Sequence, residues 1–379
     1  MKIQGTTTIA AFLGDFVVYR LLEPADRRLP GLRALAGDLG LSGQGVPRKT
    51  DAAYARVVAR ILQAARTVDR PGRVLRYLLY VGDSPQLDGQ AFLNLLEEGD
   101  WIGRAFIAKD SFAEPPAVVK DGNIYRSNRW AGLTEFLGHL RQEGIPLDGS
   151  CAVVVDLDKT ILGPRGRNDH TIDAARAQAA VHVAGQVLGE AFDETSFNRA
   201  YKELNQPKYH FFTQDNQDYV VYCAIMLASG VYPFASLLED FAAGSVSTLL
   251  DFIKIVGQRI GQMAIPGLQA IQQEVAGNVV ARDPTPFKSF RREEYLTTIA
   301  LMEVGAAPAD VVTLLKDRIT INYEVAQVVS YLRQQGVVAL GLSDKPDEAV
   351  FPTEALAACG YWPLHRTLAA LVGETLSLG

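Results

Sequence analysis

Residues Cys151-Ala-Val-Val-Val-Asp-Leu-Asp-Lys-Thr160 set five small and β-branched apolar residues ahead of two aspartates spaced two apart. The apolar run predicts a short strand. Its lack of polar alternation predicts burial on both faces, as in a parallel sheet. Two other runs share the pattern: Tyr77-Leu-Leu-Tyr-Val81 ends at Gly82-Asp83, and Val337-Val-Ala-Leu-Gly-Leu342 ends at Ser343. Ile102 to Ala108 predicts a further strand, interrupted by Arg104. In an open α/β sheet ligands bind outside the carboxyl ends of the strands. Asp156, Asp83 and Ser343 are therefore expected at one edge.

Helical spacing fills the gaps. Asp51 to Thr67 carries an apolar stripe with Thr50 or Asp51 as N-cap, and Ala131 to Gln142 is stopped by Gly144 and Pro146. Tyr323 to Gln335 is stopped by Gly336. Strands alternating with helices predict a doubly wound, Rossmann-like α/β core with a parallel sheet. Residues 161–336 read as almost entirely helical, with patterns over 173–188, 219–228, 234–243 and 246–263 and a loop at Pro284 and Pro286. The expected division is a core of 1–160 plus 337–379 and a helical domain of 161–336. For the next strand of the sheet, Thr7 to Leu13, Phe16 to Arg20 and Tyr361 to His365 compete.

A net charge of −6 argues against nucleic acid or an anionic membrane as the main partner. Cys151, Cys223 and Cys359 are too widely spaced for a zinc site and too few for a disulfide framework, which fits a reducing compartment. The apolar stretch Ile9 to Leu13 is soon interrupted by Asp15, and no run reaches the roughly 18 apolar residues of a membrane span. The expectation is a soluble, cytoplasmic protein.

Paired carboxylates at a strand end suit phosphoryl transfer. One can attack phosphorus, and the other can carry the proton of the leaving oxygen. Asp83, with Asp88 beside it, adds the hard oxygen donors that Mg²⁺ prefers. Ser343 offers a hydroxyl to a phosphate oxygen, with a helix N-terminus expected just after it.

These pieces together resemble the haloacid dehalogenase superfamily of phosphohydrolases. Val153-Val-Val-Asp-Leu-Asp-Lys-Thr160 is similar to its nucleophile motif. Val81-Gly-Asp-Ser-Pro-Gln-Leu-Asp-Gly89 resembles its acidic metal motif, and Gly341-Leu-Ser-Asp-Lys-Pro346 its hydroxyl motif. Lys49, in Val46-Pro-Arg-Lys-Thr50, best fits the family's lysine, with Arg48 and Lys345 as alternatives. The resemblance implies Asp156 as nucleophile, Asp158 as acid and base, and Lys49 and Ser343 on the phosphoryl group. It implies Mg²⁺ held by Asp156, Asp158, Asp83 and Asp88, and substrate contacts from Thr160, Ser343 and Asp344. Arg165 and Arg167, in Gly163-Pro-Arg-Gly-Arg-Asn168, are further candidate substrate contacts on an expected mobile hinge.

The family runs nucleophile, hydroxyl, lysine, acidic motif. This chain runs Lys49, Asp83, Asp156, Ser343, a rotation of the same cyclic order. That implies a circularly permuted core, with Glu143 to Ser150 joining the usual ends. The helical region falls where the family inserts a cap. The expected function is a Mg²⁺-dependent phosphatase acting on a small phosphate ester. The alternatives are a phosphotransferase or phosphomutase with the same nucleophile, or a non-catalytic binding or scaffold protein. A dehalogenase fits less well, because it lacks a second acid like Asp158.

Overall fold

The computed structural model describes residues 1–263, 265–303 and 310–378. Its strands, in chain order, are β1 (Lys2–Thr7), β2 (Val17–Val18), β3 (Tyr77–Gly82), β4 (Ile102–Ala108) and β5 (Val118–Asp121). They continue with β6 (Ile124–Ser127), β7 (Cys151–Asp156), β8 (Ile321–Asn322), β9 (Val338–Leu342) and β10 (Ala369–Gly373). Seven of them form one sheet in the order β2-β9-β7-β3-β4-β6-β5, parallel throughout except where β5 meets β6. The fold is thus α/β with a mostly parallel sheet.

β7 and β9 are central strands, and every residue in them is buried. That is why both read as unbroken apolar runs rather than as alternation. Period two still decides which face each residue serves. Leu78 and Tyr80 of β3, Ala152 and Val154 of β7, and Leu340 and Leu342 of β9 share one core cluster with the helix Ala52–Asp69. That helix buries Tyr54, Val57, Val58, Ile61, Leu62 and Ala65, one stripe at helical spacing. A fully buried aliphatic side chain of this kind contributes about 1.5–3 kcal/mol. Asp51 occupies the N-cap position, but its carboxylate accepts the Arg48 N–H at 2.7 Å instead of capping the helix. On the other face Phe106 of β4 meets Phe136 of the helix Leu133–Gln142, with ring centroids 5.4 Å apart.

The ends of the chain depart from the sequence reading. Phe16 to Arg20 supplies the sheet's next strand, as the two-residue β2, pairing Val17 with Gly341 and Val18 with Leu342. Thr7 to Leu13 instead splits into the end of β1 and a helical turn, Ala10–Leu13. Tyr361 to His365 holds no strand and runs into a 3₁₀ turn, Leu364–Arg366. β1, β10 and β8 form a separate three-stranded sheet. Nothing in the alternation of Lys2–Thr7, a largely exposed strand, announced it.

Two compact units divide the chain: Met1–Ala174 with Thr298–Gly379, and Ala175–Thr297. Residues 161–174 and 298–336 therefore lie in the unit that holds the sheets. Every secondary-structure element among the described residues of the second unit is a helix. Its core is rich in aromatics, with Phe212, Tyr222, Tyr232 and Phe252 all fully buried. Tyr209 and Phe212 are core there, whereas Phe211 is exposed. A buried Arg291 pairs with Asp218 at 3.1 Å and Glu294 at 2.5 Å within this unit. Among the described residues no helix is long and apolar enough to cross a membrane.

Candidate active site

Parallel register brings the three strand ends together. Val81 pairs with Val155, and Asp156 pairs with Leu342, so Gly82-Asp83, Asp156 and Ser343 lie side by side at the carboxyl edge. All three polar residues belong to the sheet-bearing unit and are buried.

The chain leaves β7 through a tight turn. Leu157 N–H donates to Leu342 O at 2.9 Å, extending the ladder by one residue. Ile161 and Leu162 N–H then both donate back to Leu157 O, and Lys159 adopts φ +61°. A non-glycine residue at positive φ is costly and is typical of sites where geometry is imposed. Lys159 is tied down at its tip by Asp173 at 2.9 Å. The turn brings Asp158 back beside the strand end. Its Oδ1 is buried without a partner, and its Oδ2 lies 3.8 Å from Lys345 Nζ.

Asp88 organises the neighbouring loop. It sits in the first turn of the helix Leu87–Gly99 and is 1% exposed. Its Oδ2 accepts the N–H groups of Asp83 and Ser84, each at 2.9 Å. Its Oδ1 accepts the Tyr80 hydroxyl at 3.1 Å and Lys49 Nζ at 2.6 Å. A Cβ on Gly82 would come within 2.5 Å of this carboxylate, so only glycine admits the contact. With four donors on two oxygens, Asp88 positions the loop and the lysine rather than offering a free lone pair.

Lys49 Nζ also donates to Asp156 Oδ1 at 2.6 Å. Burial alone would lower the lysine pKa, but Asp156 and Asp88 hold it well above the ordinary value. Arg48, next in sequence, is exposed. Lys345 is buried near Asp158 instead of Asp156.

One oxygen from each of Asp83, Asp88 and Asp156 falls within 4.8 Å of the others. Burial, with Asp88 and Asp83 close by, pushes Asp156 well above the carboxylate range despite Lys49. Burial and Asp88 push Asp83 up to about 6. Asp88 alone is held low, because Lys49 and the backbone donors outweigh its burial. The cluster is short of positive charge, which a divalent cation on hard oxygen ligands would supply. Asp83 and Asp156, with the Asp158 carbonyl, are the donors suited to hold it.

The remaining residues singled out in the sequence divide clearly. Ser343 is buried, and its Oγ accepts the Lys345 N–H at 3.0 Å, which leaves the hydroxyl proton for a ligand. No α-helix starts at Ser343. The chain passes instead into a three-residue 3₁₀ turn, Asp347–Ala349, too short to act as a helix N-terminus. Asp344 is exposed. Thr160 is fully buried; its Oγ1 has no partner, and its carbonyl accepts Asn322 Nδ2 at 3.1 Å.

Arg165 is half exposed, and its Nε donates to Asp83 Oδ2. Arg167, expected as a substrate contact, is instead a buried cross-link. Its Nε donates to Asp110 at 2.8 Å, and its two Nη groups donate to Glu324 and to Val372 O. Its side chain is 2% exposed, so it cannot meet a substrate. The Gly163 to Asn168 segment, expected as a mobile hinge, is tied to its surroundings by hydrogen bonds. Gly163 and Arg165 N–H are bonded to Thr320 O and Lys159 O, and Asn168 Nδ2 donates to Arg318 O.

Sequence reasoning missed two tyrosines at this edge. Tyr80 lay inside an apolar strand run, and Tyr54 lay on the stripe of a helix, so both read as core. No family model, curated protein or solved structure matches the chain.

Proposed function

We propose that the protein is a Mg²⁺-dependent phosphatase of the haloacid dehalogenase type, acting on a small phosphate ester through Asp156. The observation that carries this reading is the Lys49–Asp156 contact at 2.6 Å, at the edge where Asp83 and Ser343 also end their strands. A structural salt bridge alone would not need a second carboxylate with one buried, unpartnered oxygen and a hydroxyl with its proton to spare.

In the proposed reaction an Asp156 carboxylate oxygen attacks phosphorus opposite the ester oxygen. The new O–P bond forms as the P–O bond to the leaving group breaks. Asp158 gives its proton to that oxygen, for which its buried, unpartnered Oδ1 is suited. Asp158 then takes a proton from water as the water oxygen attacks the aspartyl-phosphate and releases phosphate. Lys49 and the Ser343 hydroxyl hold phosphoryl oxygens throughout. Mg²⁺, when bound, offsets the charge on those oxygens.

The circular permutation belongs to the same proposal. The sheet places β7 between the acidic strand β3 and the hydroxyl strand β9, although β3 precedes β7 by some seventy residues of chain. Moving the chain ends would restore the family's motif order without altering any strand neighbour. The helical unit Ala175–Thr297 is proposed as the cap on its place in the chain, between the nucleophile and hydroxyl motifs.

The test is phosphate release from a panel of small phosphate esters, with Mg²⁺ or EDTA, for wild type and Asp156→Asn. Metal-dependent release that vanishes in the variant supports the reading. No release by a folded protein that binds Mg²⁺ would redirect it to a phosphotransferase or to a non-catalytic binding role.

A further inference from the structure

Tyr54 opens the helix Ala52–Asp69, five residues after Lys49. It belongs to the core cluster that also holds Val18, Tyr80 and Leu342 of β2, β3 and β9. The residue is 1% exposed, and its hydroxyl has no hydrogen-bond partner. Tyr80, its neighbour in the cluster, gives its own hydroxyl to Asp88. A buried phenol usually finds a partner, because leaving one unmet forfeits its hydration for nothing. Two other orphaned polar atoms, Asp158 Oδ1 and Thr160 Oγ1, belong to the turn that follows Asp156. The helix start beside Tyr54 also carries no side-chain cap, since Asp51 is turned to Arg48. Lys49 uses two of its three N–H groups on Asp88 and Asp156. Tyr54 lies close enough to Lys49 and Asp156 for both charges to act on its phenol, so two neighbouring side chains at this edge each hold a donor that no protein atom accepts.

We propose that the Tyr54 hydroxyl is a ligand-contacting group of this site, donating a hydrogen bond to an oxygen of the phosphoryl group seated beside Lys49. The proposal rests on the phosphoryl-transfer reading above and adds a residue to it. Burial, followed by the nearby Asp344 carboxylate, raises the phenol pKa, which keeps the group a donor at working pH. The rigid ring holds the hydroxyl in place, so little side-chain freedom is lost on binding.

The experiment measures inorganic phosphate binding, in Mg²⁺, to the full chain and to Tyr54→Phe by titration calorimetry. The thermal midpoint of each is measured in phosphate-free buffer. A hydrogen bond to a charged oxygen predicts phosphate binding about 10-fold or more weaker in the variant. The variant's midpoint should be unchanged or higher, because an unpartnered buried hydroxyl has gone. Equal affinity in the two proteins would overturn the role of Tyr54 and leave the phosphatase reading standing. A lower midpoint with unchanged affinity would make the hydroxyl a structural group and likewise overturn the proposal. A wild-type protein that neither binds phosphate nor releases it from any ester would overturn both.

Discussion

Replacing Lys49 by methionine removes the cation that touches both Asp88 and Asp156, each at 2.6 Å. The three residues are 4%, 1% and 5% exposed, so water cannot take over from the ammonium. Breaking a buried ion pair by deleting one partner costs about 3–5 kcal/mol, because the other charge stays buried and uncompensated. For a unit of this size each kcal/mol moves the thermal midpoint by about 2–4 °C. The variant should therefore melt on the order of 6–20 °C lower at pH 8. The assay is thermal unfolding in EDTA, so that no metal substitutes for the lysine.

The pH dependence has a defined sign. In wild type the Asp88 carboxyl is depressed, so its contribution is present above the unfolded value near 4 and is lost only as pH falls through the lower folded one. Without Lys49, burial prevails and Asp88 joins Asp156 above the unfolded value. Protonating such groups stabilises the folded state, so the variant's deficit should shrink as pH falls from 8 toward 5. Its turnover should also drop about 100- to 1,000-fold, as when a group stabilising transition-state charge is deleted. A wild-type midpoint at pH 8, a deficit that stays constant down to pH 5, or near-normal turnover would refute this account of Lys49.

Asp83 and Arg167 offer further tests of the same geometry. Asp83 keeps its proton up to about pH 6, and Mg²⁺ requires the carboxylate, so Mg²⁺ affinity should fall about tenfold per pH unit below that value. A flat calorimetric profile from pH 7.5 to 5 would remove Asp83 from the ligand set. Because its folded pKa is raised, the metal-free protein should gain stability as pH falls from about 6 toward 4, an increment that Asp83→Asn lacks. Arg167→Met should cost about 3–5 kcal/mol by stranding Asp110 and Glu324, while leaving phosphate affinity intact. Weakened phosphate binding in a variant of wild-type stability would return Arg167 to the site.

How far the site could be read from the chain depended on what each residue's neighbours supplied. Asp156, Asp83 and Ser343 were legible because each ends a run of apolar residues, and a parallel sheet aligns such ends by register. Lys49 was placed only by its position before a helix. What brings its ammonium to Asp156 is the packing of that helix against β3 and β9, which no spacing states. Arg167 misled for the opposite reason. A basic residue in a Gly-Pro loop reads as exposed, and its partners Asp110 and Glu324 lie 57 and 157 residues away in sequence. Tyr54 and Tyr80 were hidden by their rings, which satisfy an apolar pattern, although the Tyr80 hydroxyl bonds Asp88 and the Tyr54 hydroxyl is buried without a partner.

The sequence by itself determined the alternation of strand and helix, the identity of the central strands and the acidic character of their ends. Those are local properties, set by which residues a strand buried on both faces will accept. Only the tertiary structure decided that β2 closes the β9 side of the sheet and that β1, β8 and β10 form a second sheet. It alone decided that Asp88 spends its lone pairs on a loop and a lysine. Each of these depends on partners far apart in the chain, and their mutual burial fixes which hydrogen bonds and charges can be met.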